Sequence, residues 1–242
     1  MPEGTSTQSP VRSFTPEELL ARFGGLDGAA LLHAMARDVF PERIALVSSF
    51  GTEAAVLLAL AAEADPGFPV IFVNTGKLFG ETLRYRDQLV KFLGLTDVRT
   101  IGPTAEDIMA NDRDGMLFNT DPDACCNLRK TLPLNRALEG LDAWVTGRKR
   151  FQSSTRAALP LFEEADGRIK VNPLAYWDRE RIDWEFERRN LPRHPLEADG
   201  FLSIGCFTCT TRVAPGADPR SGRWAGTDKT ECGIHLHRTG TV

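Results

Sequence analysis

The pattern that most limits the fold is a strand, a glycine turn and a helix, written twice in succession. Residues 43–64, RIALVSSFGTEAAVLLALAAEA, read as a short apolar strand broken at Gly51 and followed by a helix apolar on more than one side. PVIFVNTG (69–76) repeats the strand, and GETLRYRDQLVKFLG (80–94) repeats the helix, with Gly94 as its stop. DVRTIG (97–102) and LDAWVTG (141–147) read as two further short strands, and 28–39, 125–139 and 178–190 as helical. Upstream, Thr15 is placed to cap a helix that starts PEEL, with Pro16 in its first turn and Glu18 completing a capping box. Strands alternating with helices need right-handed crossovers, so the expected fold is α/β, a mostly parallel sheet with helices on both faces.

At 242 residues and 42% hydrophobic, the chain has enough apolar material for one sizeable core and too little for two full domains. The expected division is a single nucleotide-binding α/β domain over 1–202, opened by a polar leader (1–14), and a C-terminal segment over 203–242. In that last part the periodic pattern gives way to Gly, Pro and Arg with almost no aliphatic run, which reads as a mobile tail. The start has no apolar core of a signal peptide, and the longest wholly apolar run, Ala54 to Ala62, is far short of a membrane span. A cytoplasmic protein with no membrane partner is expected. The net charge of −4 gives no overall pull toward nucleic acid, yet RKRFQSSTR (148–156) carries four cations and no acid, and Arg220, Arg223 and Lys229 lie close together in the tail. These local runs suit either a solvated face or an anionic ligand.

In open parallel sheets, ligands bind beyond the carboxyl ends of the strands, where a glycine turn delivers backbone N–H groups at a helix start. SSFGTE (48–53) is such a turn, and Ser48, Ser49 and Thr52 could add hydroxyl donors where Gly51 lets the backbone come close. It is neither of the common phosphate-loop patterns, so a tight turn without a ligand fits it equally well. VNTGKLF (73–79) ends the next strand in the same manner. The five cysteines are more specific: CC at 125–126, CFTC at 206–209 and a lone Cys232. Adjacent cysteines reach two irons of a cluster more readily than one tetrahedral ion, so the two pairs favour a 4Fe-4S group, with zinc and redox-active or merely buried thiols left open. Cys232 is then available as a nucleophile, with Lys229 and His235 as local groups that could support a thiolate.

Taken in order and at these separations, SSFGTE, NTGKLF, CCNLRK, IGCFTCT and KTECGIHL make the chain resemble the assimilatory sulfonucleotide reductases from about residue 40 to its end. The likeness is greatest to the bacterial iron-sulfur, thioredoxin-dependent adenosine 5'-phosphosulfate reductase branch, since the branch using the 3'-phosphorylated substrate typically lacks both cysteine pairs. The resemblance implies an adenine nucleotide alpha-hydrolase-like (PP-loop) fold. It also implies reduction of adenosine 5'-phosphosulfate to sulfite and AMP in sulfate assimilation, through an S-sulfocysteine on Cys232 that thioredoxin or a similar dithiol carrier resolves. By motif, Cys125, Cys126, Cys206 and Cys209 would ligate a 4Fe-4S cluster. Lys130, Arg220, Arg223 and His235 would grip the phosphosulfate. Ser48, Ser49, Phe50, Gly51, Thr52 and Glu53, then Thr75, Gly76, Lys77, Leu78 and Phe79, and Gly147 would hold the adenosine part, with Arg148 and Arg156 as further partners. Asn74 stands where Asp is common and Thr208 where Pro is usual, and neither is a ligand. The rivals are a 3'-phosphoadenosine 5'-phosphosulfate reductase, a PP-loop synthetase, and a zinc-stapled nucleotide- or nucleic-acid-binding module. A homo-oligomer stays open, and nucleic acid is not an expected partner of the reductase.

Overall fold

The structure is a computed structural model that describes residues 14–226, 229 and 231–235. Six strands form one sheet in the order β3-β2-β1-β4-β6-β5: β1 (Ile44–Ser48), β2 (Val70–Val73), β3 (Val98–Ile101), β4 (Ala143–Val145), β5 (Phe162–Ala165) and β6 (Arg168–Val171). All pairs are parallel except β5 with β6. The helices are α1 (Pro16–Phe23), α2 (Gly28–Ala34), α3 (Ala54–Ala64), α4 (Gly80–Leu93), α5 (Ala105–Asn111), α6 (Leu117–Thr120), α7 (Pro122–Cys126), α8 (Leu132–Ala137) and α9 (Arg179–Arg188).

The four parallel strands anticipated from sequence are present. β2 is buried along its whole length, as expected of a strand covered on both faces. α3 buries every residue from Ala55 to Ala61, which explains why its apolar residues follow no single stripe. Thr15 caps α1 with the capping box complete, and Gly94 closes α4 at φ 67°. On one face of the sheet a large core joins α2, α3 and α9; on the other, Ala45, Ile71, Val73 and Trp144 pack under Leu134 and Leu138 near α8.

Three regions depart from the sequence reading. The hairpin β5–β6 was not anticipated; its turn, Asp166-Gly167, has positive φ at both positions (53° and 70°), the arrangement that an Asp-Gly pair favours. The helical stretch expected at 125–139 starts earlier, at Pro122, and a π-helical turn over Asn127–Thr131 divides it. Pro133 has no N–H to return to the carbonyl four residues back, which accounts for the wider turn. The helix expected over 28–39 likewise passes at Met35–Val39 into a π turn.

From residue 203 the chain contributes no further strand to the sheet among the described residues. It lies across the carboxyl ends of the strands, where Cys206 makes a bridge with Leu78, Thr210 pairs with Arg223, and the amide of Trp224 donates to the carbonyl of Cys209 at 3.0 Å. No helix among the described residues is long and apolar enough to cross a membrane.

Candidate active site

β1 leads on toward β2 and β3, whereas β4 lies on its other side next to β6, so the connections diverge at the carboxyl ends of β1 and β4. A cavity of about 450 Å3 opens there. Its floor is the two strand ends and the loops that leave them. Ser48 Oγ accepts the amide of Phe50 at 3.1 Å, and Phe50 adopts φ 50°, which sends its ring into the core edge-on to Phe72 at 5.2 Å. The chain then passes Ser49, Gly51 and Thr52 along the cavity into α3.

The walls are strongly cationic. Lys130, Arg148, Lys149, Arg156, Arg179, Arg220 and Arg223 line the cavity against two acids, Glu53 and Glu231. Glu53 receives Lys149 Nζ at 2.8 Å, Gln152 Nε2 at 2.7 Å and Arg179 Nη1 at 2.5 Å. Burial alone would raise the Glu53 pKa, but Lys149 and Arg179 outweigh it and hold the carboxyl at about 2. Burial, with Arg156 nearby, lowers Arg148 to about 10 even though it contacts Glu163. Seven cations against two acids leave the cavity wall with an excess of positive charge, much of it buried, and such a site favours an anionic ligand.

Cys232 lies on the wall formed by the tail. A hydrogen bond from the Cys126 thiol, with Lys130, the amide of Ile234 and Arg223, holds Cys232 well below the ordinary thiol value against the opposing effect of burial. The same contact, with burial, raises the Cys126 thiol; as a cluster ligand Cys126 would be a thiolate with no proton to donate, which leaves Lys130 and Arg223 as the cations that favour the Cys232 thiolate. Burial would lower Lys130, but Cys232, Cys206 and Cys126 raise it, so the ammonium stays charged beside the thiolate. This is the environment of a reactive cysteine rather than an inert buried one.

The other four thiols come from two segments that face each other. Cys125 and Cys126 end α7; Cys206 precedes and Cys209 ends a short turn, Phe207–Cys209, and all five cysteines are outside any disulfide. Thr75 Oγ1 lies 3.2 Å from Cys206 Sγ, and Cys125 senses the charge of Cys206 and Cys209. Among the described residues no three His, Cys, Asp or Glu side chains converge on a point that one metal ion could fill. The donor set is all sulfur, and Arg129 and Lys130 lie within reach of its charge. In donor chemistry it therefore fits a thiolate-held iron-sulfur group. Arg129 also fastens this region to the loop after β2 and to the end of α5: it donates to Asp112 Oδ2 at 2.5 and 3.0 Å and to the carbonyl of Thr75 at 2.9 Å.

The phosphoadenosine phosphosulfate reductase domain matches residues 43–212. The chain belongs to that family. Within the family, it is 51% identical to the adenosine 5'-phosphosulfate reductase of Mesorhizobium japonicum, over 89% of this chain and 85% of the relative. It is 47% identical to the enzyme of that name from Deinococcus radiodurans, over 77% and 74%. Among solved structures, the phosphate complex of a phosphoadenylyl-sulfate reductase from Candida auris superposes with a TM-score of 0.70 at 25% identity, covering 83% of this chain and 99% of that one. An FMN adenylyltransferase from Candida glabrata, at 15% identity and a TM-score of 0.53, shares the fold alone, over 84% and 68%.

For this reductase-family chain, the cavity gathers most of the residues singled out from sequence: Ser48, Ser49, Gly51, Thr52, Glu53, Thr75, Leu78, Lys130, Gly147, Arg148, Arg156, Arg220, Arg223 and Cys232. Others lie elsewhere. Phe50 is in the core; Gly76 sits beside Arg129; Lys77 donates to the carbonyl of Gly115 at 2.6 Å and covers the Phe118 ring; Phe79 packs against Phe201 and Phe207. Lys229, a local candidate to support Cys232, pairs with Asp123. His235 ends the turn Gly233–His235, and its side chain lies outside the described residues. Sequence reasoning missed Lys149, Gln152, Arg179, Trp224 and Glu231 as lining residues. The basic run at 148–156 marked the first two as a stretch, but nothing local marked Arg179.

Proposed function

We propose that the chain reduces adenosine 5'-phosphosulfate to sulfite and AMP, with Cys232 as the nucleophile. The observation that carries this reading is the Cys232 thiol, near enough to Lys130 and Arg223 to feel their charge, on the wall of a cationic cavity that is also lined by the glycine turn of β1. The thiolate attacks the sulfate sulfur, the bond from that sulfur to the bridging oxygen breaks, and AMP leaves with the electron pair. Lys130 and Arg223 offset the negative charge that grows on the departing phosphate, which is where fixed cations lower a barrier most. The product is an S-sulfocysteine at residue 232. A dithiol carrier such as thioredoxin then attacks its sulfur, forms a mixed disulfide and releases sulfite; its second thiol frees Cys232 and carries away the oxidation as a disulfide. Both electrons come from that carrier.

Cys125, Cys126, Cys206 and Cys209 would hold a 4Fe-4S cluster. When bound there, it would cross-link the two segments and supply a fixed charge beside Lys130 rather than electrons. The 3'-phosphorylated sulfonucleotide is the alternative substrate. Anaerobic purification with iron and sulfide assay, followed by turnover on both sulfonucleotides, tests the reading. Iron and sulfide in a 4:4 ratio to protein are expected, with turnover on adenosine 5'-phosphosulfate and an S-sulfo adduct at Cys232 when the dithiol is withheld. Zinc in place of iron, or no adduct on either substrate, would overturn it.

A further inference from the structure

Glu231 precedes the nucleophile, and no step of the reaction above uses it. Its carboxylate nonetheless takes four hydrogen bonds. Oε2 accepts Arg156 Nε at 2.8 Å, and Oε1 accepts Arg156 Nη2 at 2.9 Å, Arg220 Nη2 at 3.2 Å and the backbone N–H of Cys232 at 3.0 Å. Arg156 in turn gives its remaining nitrogen, Nη1, to Gln152. Its guanidinium is only 8% exposed, and it belongs to the turn Ser154–Arg156 on the main body of the fold. A carboxylate held by a bidentate guanidinium is fixed in plane as well as in distance. Because the same oxygen also takes the Cys232 amide, that fixed plane is passed on to the residue that carries the thiol.

We infer that Glu231 is a positioning residue, clamped by Arg156 and Arg220, that sets the Cys232 thiol on the cavity wall. The inference rests on the reaction proposed above and refines it: Arg156, with each of its three nitrogens engaged by Glu231 or Gln152, acts on the substrate through Glu231 instead of gripping the anion itself. A different role for the same contacts would be an internal anion that blocks the subsite until substrate displaces it. The amide of Cys232 favours positioning, since a mere plug would have no reason to bind the nucleophile's own backbone.

The test uses the full-length, iron-loaded protein. In single turnover without dithiol, Glu231→Gln, which keeps the shape but not the chelate, should slow S-sulfonation of Cys232 by about 10-fold and Glu231→Ala by about 30-fold. The AMP dissociation constant should change less than about 3-fold, because the defect lies in placement and not in nucleotide binding. Arg156→Ala combined with Glu231→Ala should be no slower than the slower single variant, as expected when two residues act as one unit. Multiplying losses in the double variant, parent-like sulfonation in both Glu231 variants, or AMP affinity falling in step with rate would each overturn the inference. Tighter sulfonucleotide binding in Glu231→Ala would do so too, by showing the carboxylate to be a plug. Hydrogen exchange on the ligand-free protein tests the inference apart from the reaction. The peptide that carries Cys232 should exchange about 10-fold faster in Glu231→Ala, and unchanged exchange there would remove the inference. If the parent forms no adduct, the reaction proposal fails, and this exchange measurement alone decides the role of Glu231.

Discussion

The two sides of the cavity are built by different physics. The floor is made of strand ends, so Ser48, Ser49 and Gly147 inherit their places from a parallel ladder whose neighbours are buried on both faces. Among its described residues the tail wall has no ladder of comparable extent. Arg223 and Cys232 are placed by an isolated bridge, a few carbonyl contacts, ion pairs and the thiols of a neighbouring helix. A backbone ladder is insensitive to which side chains ride on it, whereas a wall of ion pairs is only as firm as each pair. In the proposed reaction the nucleotide would be held by the part that survives substitution, and the chemistry would fall to the part that does not.

The largest expected effect separates these sides directly. Cys232→Ser should abolish the S-sulfo adduct and lower turnover by more than about 10^3-fold, because a hydroxyl is a far weaker nucleophile at neutral pH. AMP binding, read by calorimetry, should stay near the parent value. A loss of AMP affinity as large as the loss of turnover would show that the tail wall also carries nucleotide recognition.

Next in size is the joint between the two sides. Arg129→Ala would leave Asp112 buried without its partner and release the Thr75 carbonyl, which should cost about 3–5 kcal/mol in urea denaturation. A variant as stable as the parent would mean that the cysteine-bearing helix is held to the loop after β2 by other contacts.

The third test acts on the sheet side alone. His194 lies under α4, with Nε2 at 3.1 Å from Thr82 Oγ1 and Nδ1 accepting the amide of Leu196 at 3.2 Å, and burial pushes its pKa down to about 4 from 6.5. Below pH 6.5 the unfolded chain takes up a proton that the folded chain refuses. This contribution is therefore complete above pH 6.5 and falls by up to about 3 kcal/mol as the pH drops toward 4. Thermal melts across that range should show a shallower acid loss in His194→Gln than in the parent, and parallel curves would rule the histidine out.

The smallest effect concerns a single approach. A side chain at Gly205 would collide with the Arg223 guanidinium, so Gly205→Ala should push that cation out of place. Binding of adenosine 5'-phosphosulfate should weaken by about 10-fold, and AMP, which keeps the phosphate but lacks the sulfate, should weaken less. Parent-like binding of both nucleotides would mean that Arg223 grips neither the sulfate nor the phosphate.

What could be read from the sequence divides along the same line. β1, β2 and β4 declare themselves because each apolar run is local and ends in a turn residue, and β3, half polar and not buried, by its β-branched residues before Gly102. β5 and β6 did not, although Asp166-Gly167 was a usable signal. β5 carries Glu163 and Glu164, and β6 buries Lys170 beneath the Trp144 ring, so neither strand looks apolar. The strand-end loops pointed to the cavity, but composition could not say that Phe50 turns inward or that Lys77 turns to Gly115; those depend on φ at one residue and on a partner 38 positions away. The clamp on Glu231 was the least legible, since Arg156 lies 75 residues back and no periodicity links them.

One consequence of that clamp concerns chain length. Trp224 is tied by its amide to Cys209, and Glu231 is tied to Arg156, so the segment between them bridges two fixed points. The number of residues between the two ties is therefore expected to matter more than which residues they are. A library of single-residue insertions and deletions scored for growth on sulfate should tolerate lesions in the Gly- and Pro-containing turn at 214–219, and should be depleted of nearly every lesion between 225 and 231.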